Sequence, residues 1–279
     1  MISAQSNSYF SIINRIKYKK FKLFNRKNIE SFVNLIKYGI IPRTHYALGL
    51  LLASHQAYEL GFKKISVIEF GCWNCEGLID LENYITDIKN FFEIDFQVFG
   101  FDLGSGHPNY NSDTRDRLYE IPAGLYPFEK KENLKKLKFS ELILGDVKET
   151  LINFLEDKKI VEAPIGFISF DLGLYNSTKH AIKLLEKDSK FFLPRTSLYF
   201  DNNYFVLDNE GDKLASEEFN DTSHKKISDV GELAEQLSFF WKKWIFMGKR
   251  IKILSDQKHP KFNNYYEPKI MKLLNKNFP

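Results

Sequence analysis

The stretch that decides the fold is Val67-Ile68-Glu69-Phe70-Gly71-Cys72-Trp73-Asn74-Cys75-Glu76-Gly77. A short apolar run holding a single acid stops at a glycine. Beyond Gly77, the residues Leu78, Leu81, Tyr84, Ile85, Ile88 and Phe91 recur at the spacing of one helix face. The pattern predicts strand, tight turn and helix over 65–92, with Asn74 placed to cap the helix.

The motif recurs along the chain. Val98-Phe99-Gly100-Phe101-Asp102, Leu142-Ile143-Leu144-Gly145-Asp146, Phe167-Ile168-Ser169-Phe170-Asp171 and Leu198-Tyr199-Phe200-Asp201-Asn202 each run from apolar residues into an acid. Helical spacing fills the intervals at 45–60, 148–156 and 176–186. Alternating strands and helices predict an α/β fold, a doubly wound, mostly parallel sheet with helices on both faces. In such a sheet the carboxyl ends of the strands border one crevice, so the acids face a ligand with hydroxyls, amines or positive charge. A single Asp after a strand is more often an Asx turn or a helix cap; the repetition is what points to a site.

Outside this alternation the chain is less regular. Residues 104–133, with Gly104-Ser105-Gly106-His107-Pro108 and Ile121-Pro122-Ala123-Gly124, read as a lid or insertion. From about 205 we expect strands at 205–207 and 214–219 around the turn Asn209-Glu210-Gly211-Asp212. A helix at 232–244 and a last strand over 245–254 follow. Residues 1–44 form a basic extension and 45–279 one domain. In the extension Arg15, Lys17, Lys19, Lys20, Lys22, Arg26 and Lys27 meet only Glu30, interleaved with Phe10, Ile12, Ile13, Ile16, Phe21, Leu23 and Phe24. An amphipathic helix packed on the body is the first reading. Weak contact with an anionic membrane surface is the second, and nucleic acid is disfavoured.

Of the 279 residues 43% are hydrophobic, enough for a substantial core. No run is long enough to span a bilayer and the N-terminus lacks a signal peptide, which places the protein in the cytoplasm. Two cysteines cannot make a disulfide framework. Cys72 and Cys75 do have the spacing of a thiol redox pair at a helix start, a rival reading against two incidental cysteines. A nicotinamide dehydrogenase is disfavoured because the first turn lacks G-x-G-x-x-G.

Glu69-Phe70-Gly71 with Gly77, Asp102 and Gly145-Asp146 resembles the class I S-adenosylmethionine-dependent methyltransferases over about 65–203. Phe170-Asp171-Leu172-Gly173-Leu174-Tyr175-Asn176-Ser177-Thr178 followed by Phe200-Asp201-Asn202 is similar to the metal-dependent O-methyltransferases of the catechol and macrolide-sugar types. The resemblance implies that Glu69 and Gly71 take the methionine end of S-adenosylmethionine, Asp102 the ribose hydroxyls and Asp146 the adenine amino group. Gly77 closes the turn. Asp171, Asp201 and Asn202 would hold magnesium, with Asp171 serving cofactor and catalysis alike. His180, Lys179 and His107 are the nearest candidate bases. A sugar or glycan hydroxyl is the expected acceptor, then a small phenolic, with Trp73, Tyr110, Tyr119, Tyr126 and Phe128 available for stacking. The chain departs from the family at Cys72, Trp73, Asn74 and Cys75, where relatives carry more glycine, and at Gly173, where the macrolide-sugar type has an acid. A body that binds without turnover is the alternative.

Overall fold

The computed structural model describes residues 29–37, 39–109, 113–116, 122–156, 163–201, 210–230 and 250–265. Helices α1 (Ile29–Lys37) and α2 (Thr44–Glu59) precede strand β1 (Lys64–Phe70). Helix α3 (Glu76–Phe92), β2 (Asp95–Asp102), β3 (Ser140–Leu144), α4 (Val147–Glu156), β4 (Ile165–Phe170), α5 (Tyr175–Ile182) and β5 (Phe192–Phe200) continue the alternation. Helix α6 (Gly211–Thr222), β6 (Lys226–Asp229) and β7 (Ile251–Ser255) complete the described part.

The seven strands form one sheet in the order β3-β2-β1-β4-β5-β7-β6. The first five are parallel, and β7 runs antiparallel to both β5 and β6. This is a Rossmann-like, doubly wound α/β fold. The chain winds from β1 through β2 to one edge, then returns to place β4 on the other side of β1. That reversal opens a crevice at the carboxyl ends of β1 and β4.

Period-two alternation sorts each strand's side chains between two cores. Ile65, Val67, Phe167 and Tyr199 face α1, α2 and α3; Ile68, Phe70, Ile168, Phe170 and Phe200 face α4, α5 and α6. Helix α2 is buried almost all round, as its even spread of Ala and Leu requires. It meets the sheet closely because Gly49 sits on the Phe167 ring and Gly166 on Ala53, places where an added Cβ would clash.

A ladder of phenylalanines lies just under the rim. Phe101, Phe70, Phe170 and Phe200 share one register across β2, β1, β4 and β5. Their rings follow one another at 4.9, 5.4 and 4.6 Å between centroids. The residue after each turns to the opposite side, which puts Asp102, Gly71, Asp171 and Asp201 along one edge of the crevice. Backbone bonds from Gly71 N to Phe101 O (2.8 Å), Asp171 N to Phe70 O (2.8 Å) and Asp201 N to Phe170 O (3.0 Å) carry the ladder up to that edge.

Some local expectations are corrected. Residues 214–219 are helical, within α6: Gly211, Asp212, Ala215, Ser216 and Phe219 are buried at helical spacing, and the neighbours Ala215 and Ser216 could not share one face of a strand. Strand β6 is additional, and β7 starts only at Ile251. Asn74 does not cap α3: Cys75, in left-handed conformation, occupies the cap position, and no side chain bonds there. The Asn74 side-chain carbonyl instead accepts from Glu129 N (3.0 Å) and Lys130 N (2.9 Å), and Asn133 Nδ2 donates to its main-chain carbonyl (2.7 Å). Asn74 thus staples the irregular segment to the first turn. The basic residues 1–27, the expected strand at 205–207 and the expected helix at 232–244 lie outside the described residues.

Candidate active site

The first turn is shaped by close backbone approach. Gly71 has φ +87°, and a Cβ on it would overlap the main-chain carbonyl of Asp171. Trp73 and Cys75 are also left-handed, at φ 45° and 59°. Asp102 supports this geometry from β2: its Oδ2 accepts from Trp73 N (2.7 Å) and its Oδ1 from Gly104 N (2.7 Å). Each carboxylate oxygen keeps further acceptor capacity. Beside it, the exposed Trp73 and Tyr126 rings meet edge-on at 5.4 Å and His107 lies 5.9 Å from Tyr126.

Glu69 occupies the floor. Its alternation position turns it toward α2 and α3, where it is 2% exposed. Tyr46 of α2 donates to Oε1 (2.6 Å) and itself accepts from Ser169 Oγ (3.0 Å). Gly77 leaves room for the carboxyl group, since a Cβ there would overlap Oε1. Oε2 is enclosed and has no hydrogen-bond partner. Burial pushes the Glu69 pKa up to about 7, against the Tyr46 hydrogen bond and the Arg43 charge, which favour the ionised form. A buried acceptor without a partner is a group that an incoming hydrogen-bond donor would satisfy.

At the other end of the crevice stand Asp171 and Asp201. Asp171 is accessible, yet the protein crowded round it and the charges of Asp201, Glu69 and Asp212 raise its pKa well above the carboxylate range. Asp201 Oδ1 accepts from Tyr199 OH (2.7 Å) and from Arg250 Nη1 (2.9 Å). His45 stacks on Tyr199 at 3.9 Å, and its Nδ1 is buried without a hydrogen-bond partner. Burial and the charges of Arg43 and Arg250 keep this imidazole neutral, its pKa well below the ordinary value. Arg43, left-handed at φ 41°, donates to Asp80 Oδ2 (2.7 Å) from the start of α2.

The expected metal centre is only partly met. Asp171 and Asp201 come together, and Asn202 lies outside the described residues. Among the described residues no group of three or more His, Cys, Asp or Glu is placed to hold an ion. Hard oxygen donors suit magnesium, but Asp201 as arranged does not, since one of its oxygens serves Arg250 and Tyr199.

Other expected residues take structural positions. Asp146 is exposed and caps α4, its Oδ1 accepting from Lys148 N (2.8 Å). His180 Nδ1 lies 2.7 Å from the Asn176 carbonyl of its own helix, and Lys179 pairs with Glu218 at 2.6 Å, so α5 turns neither toward a proton-transfer role. The redox reading of Cys72 and Cys75 is corrected: both thiols are buried and free, and burial with the nearby Glu69 and Asp102 charges raises both pKa values, Cys75 to about 12. A redox pair needs an accessible thiolate. Tyr110 and Tyr119 lie outside the described residues. Sequence reasoning misses Tyr46, His45 and Arg250, which stand in no glycine turn or strand-end motif, and Tyr199, which lies in the fifth motif but reads there as an apolar strand residue.

The course of the chain is similar to that of CalS11, a calicheamicin methyltransferase, at 16% identity over 78% of this chain and 87% of that one, TM-score 0.49. It is also similar to that of the O-methyltransferase NovP, at 15% identity over 66% and 75% respectively, TM-score 0.47. No family model and no curated protein matches the sequence. Among the described residues no helix is long and apolar enough to cross a membrane.

Proposed function

We propose that this protein transfers a methyl group from S-adenosylmethionine to a hydroxyl oxygen, with a sugar or glycan as the first acceptor class and a small phenolic as the second. The observation that carries this reading is Glu69: a buried carboxyl group at the strand-order reversal, with one oxygen held by Tyr46 and the other without a hydrogen-bond partner. Asp102 ends the adjacent strand, one residue beyond the pairing of Phe70 with Phe101, and the resemblance gives it the ribose hydroxyls. When bound, the cofactor supplies an electrophilic methyl group on a sulfonium.

The chain's own residues then bind and orient. Glu69 receives the ammonium, Gly71 and Gly77 keep side chains out of its way, and Asp102 offers lone pairs to the ribose hydroxyls. The acceptor would enter on the Asp171 and Asp201 side, where its oxygen would face the methyl group and its proton would pass to a neighbouring base or to solvent. Catalysis by this route is positioning and electrostatics, with no covalent enzyme intermediate. The magnesium that the resemblance implies would fall to Asp171, Asp201 and Asn202, and Asp201, held by Arg250 and Tyr199, does not fit it as arranged.

Calorimetric titration with S-adenosylmethionine, S-adenosylhomocysteine and NAD tests the cofactor assignment. Micromolar binding of the first two and none of NAD supports it and opens a labelled-methyl screen of sugars and phenolics. Binding of NAD alone would return the protein to the dinucleotide readings, and no binding at all to a body without turnover.

A further inference from the structure

Glu69 and Ser169 are register partners on the neighbouring strands β1 and β4, and one hydroxyl of α2 spans them. Tyr46, in the first turn of that helix, donates to Glu69 Oε1 at 2.6 Å and accepts from Ser169 Oγ at 3.0 Å. All three side chains are sealed from solvent, Tyr46 and Glu69 at 2% exposure and Ser169 at 0%. The Tyr46 ring has little room to swing, because His45, Phe167 and Tyr199 meet it edge-on at 4.7, 5.8 and 6.2 Å between centroids. Glu69 Oε2, by contrast, is enclosed without a hydrogen-bond partner.

A carboxyl group whose two oxygens are treated so differently has a fixed orientation and one acceptor still to be satisfied. We infer that Tyr46 is a positioning residue for the methionine end of the cofactor: it ties down Oε1 and so sets Oε2 as the oxygen that meets the incoming ammonium. This rests on the methyl-transfer reading and deepens it, because it brings α2, a helix that carries none of the strand-end motifs, into the cofactor site. The direction of the bonds supplies the chemistry. A Tyr46 hydroxyl that receives the Ser169 proton gives its own to Glu69, and a donor aimed at a carboxyl oxygen favours the ionised form. The Ser169 bond polarises the Tyr46 O–H and strengthens that effect. The other charged or titratable groups around Glu69 are Arg43 at the start of α2, Asp80 of α3, Cys72 and Cys75 of the first turn and Asp171 at the end of β4. Arg43 works with Tyr46, and the two acids and burial work against it. Replacing Tyr46 by Phe leaves all of them in place.

The test measures S-adenosylhomocysteine affinity by calorimetry from about pH 5.5 to about pH 8.5. It compares the wild type with Tyr46→Phe, Ser169→Ala, Glu69→Gln and the double variant Tyr46→Phe with Glu69→Gln. Wild-type affinity is expected to rise with pH and to level off at about 7. In Tyr46→Phe the rise is expected about one pH unit or more further toward alkaline pH, the effect of losing a hydrogen bond to a charged group. Binding is then about tenfold weaker on the acid side, and the gap closes as pH passes about 8. Ser169→Ala is expected to move the rise the same way by less. In Glu69→Gln the profile is expected to be flat, and adding Tyr46→Phe to change affinity by less than about twofold. A loss in Tyr46→Phe that is equal at every pH, or that persists in full beside Glu69→Gln, would overturn the inference, since Tyr46 would then serve packing alone. So would an unmoved profile in Tyr46→Phe. Where thermal melts show that Tyr46→Phe does not fold, Ser169→Ala decides in its place, and an unmoved profile there overturns the inference. A wild type that binds no S-adenosylhomocysteine at any pH fails the cofactor reading and this inference with it, whereas a wild type that binds beside a Tyr46→Phe without a displaced profile fails the inference alone.

Discussion

Gly77 and Glu69 are packed so closely that a single Cβ on residue 77 would overlap the carboxyl group of Glu69. The glycine at the start of α3 is thus a condition for a carboxyl group in the floor of the crevice. Gly77→Ala is expected to displace Glu69, to lower stability by about 1–3 kcal/mol as overpacking does, and to weaken S-adenosylmethionine binding at least about tenfold. Thermal melts and calorimetry read the two effects; unchanged affinity would remove Glu69 from the ammonium role.

Glu69 also makes stability and binding depend on pH in opposite senses. Its folded pKa, raised from 4.5 to about 7, means that its contribution to stability is present at acid pH and is lost as pH rises through about 7. Glu69→Gln is therefore expected to match the wild type near about pH 5 and to exceed it by on the order of 2 kcal/mol near about pH 8. An ammonium ligand prefers the ionised form, so wild-type affinity is expected to tighten about tenfold per unit of pH up to about 7 and then level off. A flat affinity profile from acid to neutral pH would contradict this.

Asp102 accepts backbone N–H bonds from both Trp73 and Gly104, so it serves the shape of the first turn as well as any ligand. Asp102→Ala is expected to destabilise the protein by about 1–3 kcal/mol and to weaken S-adenosylmethionine by more than about tenfold. Comparing adenosine with 2′-deoxyadenosine as competitors isolates the ribose contact. The wild type should prefer adenosine and the variant should not.

The two thiols are expected to be inert. Cys72 and Cys75 are buried and held protonated, so a disulfide reagent at about pH 8 should label neither in the native protein and both after denaturation. Rapid native labelling would reopen the redox reading.

What the sequence determined by itself was the repeated unit. Apolar strand, phenylalanine and then an acid or glycine, followed by a helix, is local information, because alternation of side chains along a strand needs no knowledge of its neighbours. From it came the doubly wound sheet and the strand-end acids Asp102, Asp171 and Asp201, whereas Glu69, expected on the same rim, is turned by alternation into the floor under α2. Local patterning also misled where it was thin: 214–219 has too few apolar residues to separate period two from 3.6, and packing against α5 made it helical. Asn74 looked like a cap, but the amides of Glu129 and Lys130 claimed it. The tertiary structure alone decided who meets the acids. Tyr46 reaches Glu69 because α2 packs on β1 and β4. Arg250 reaches Asp201 because β7 returns antiparallel beside β5. Those adjacencies come from burying whole faces of helices and strands against one another, so the charge that balances the rim arrives from a segment 49 residues away from the acid it serves.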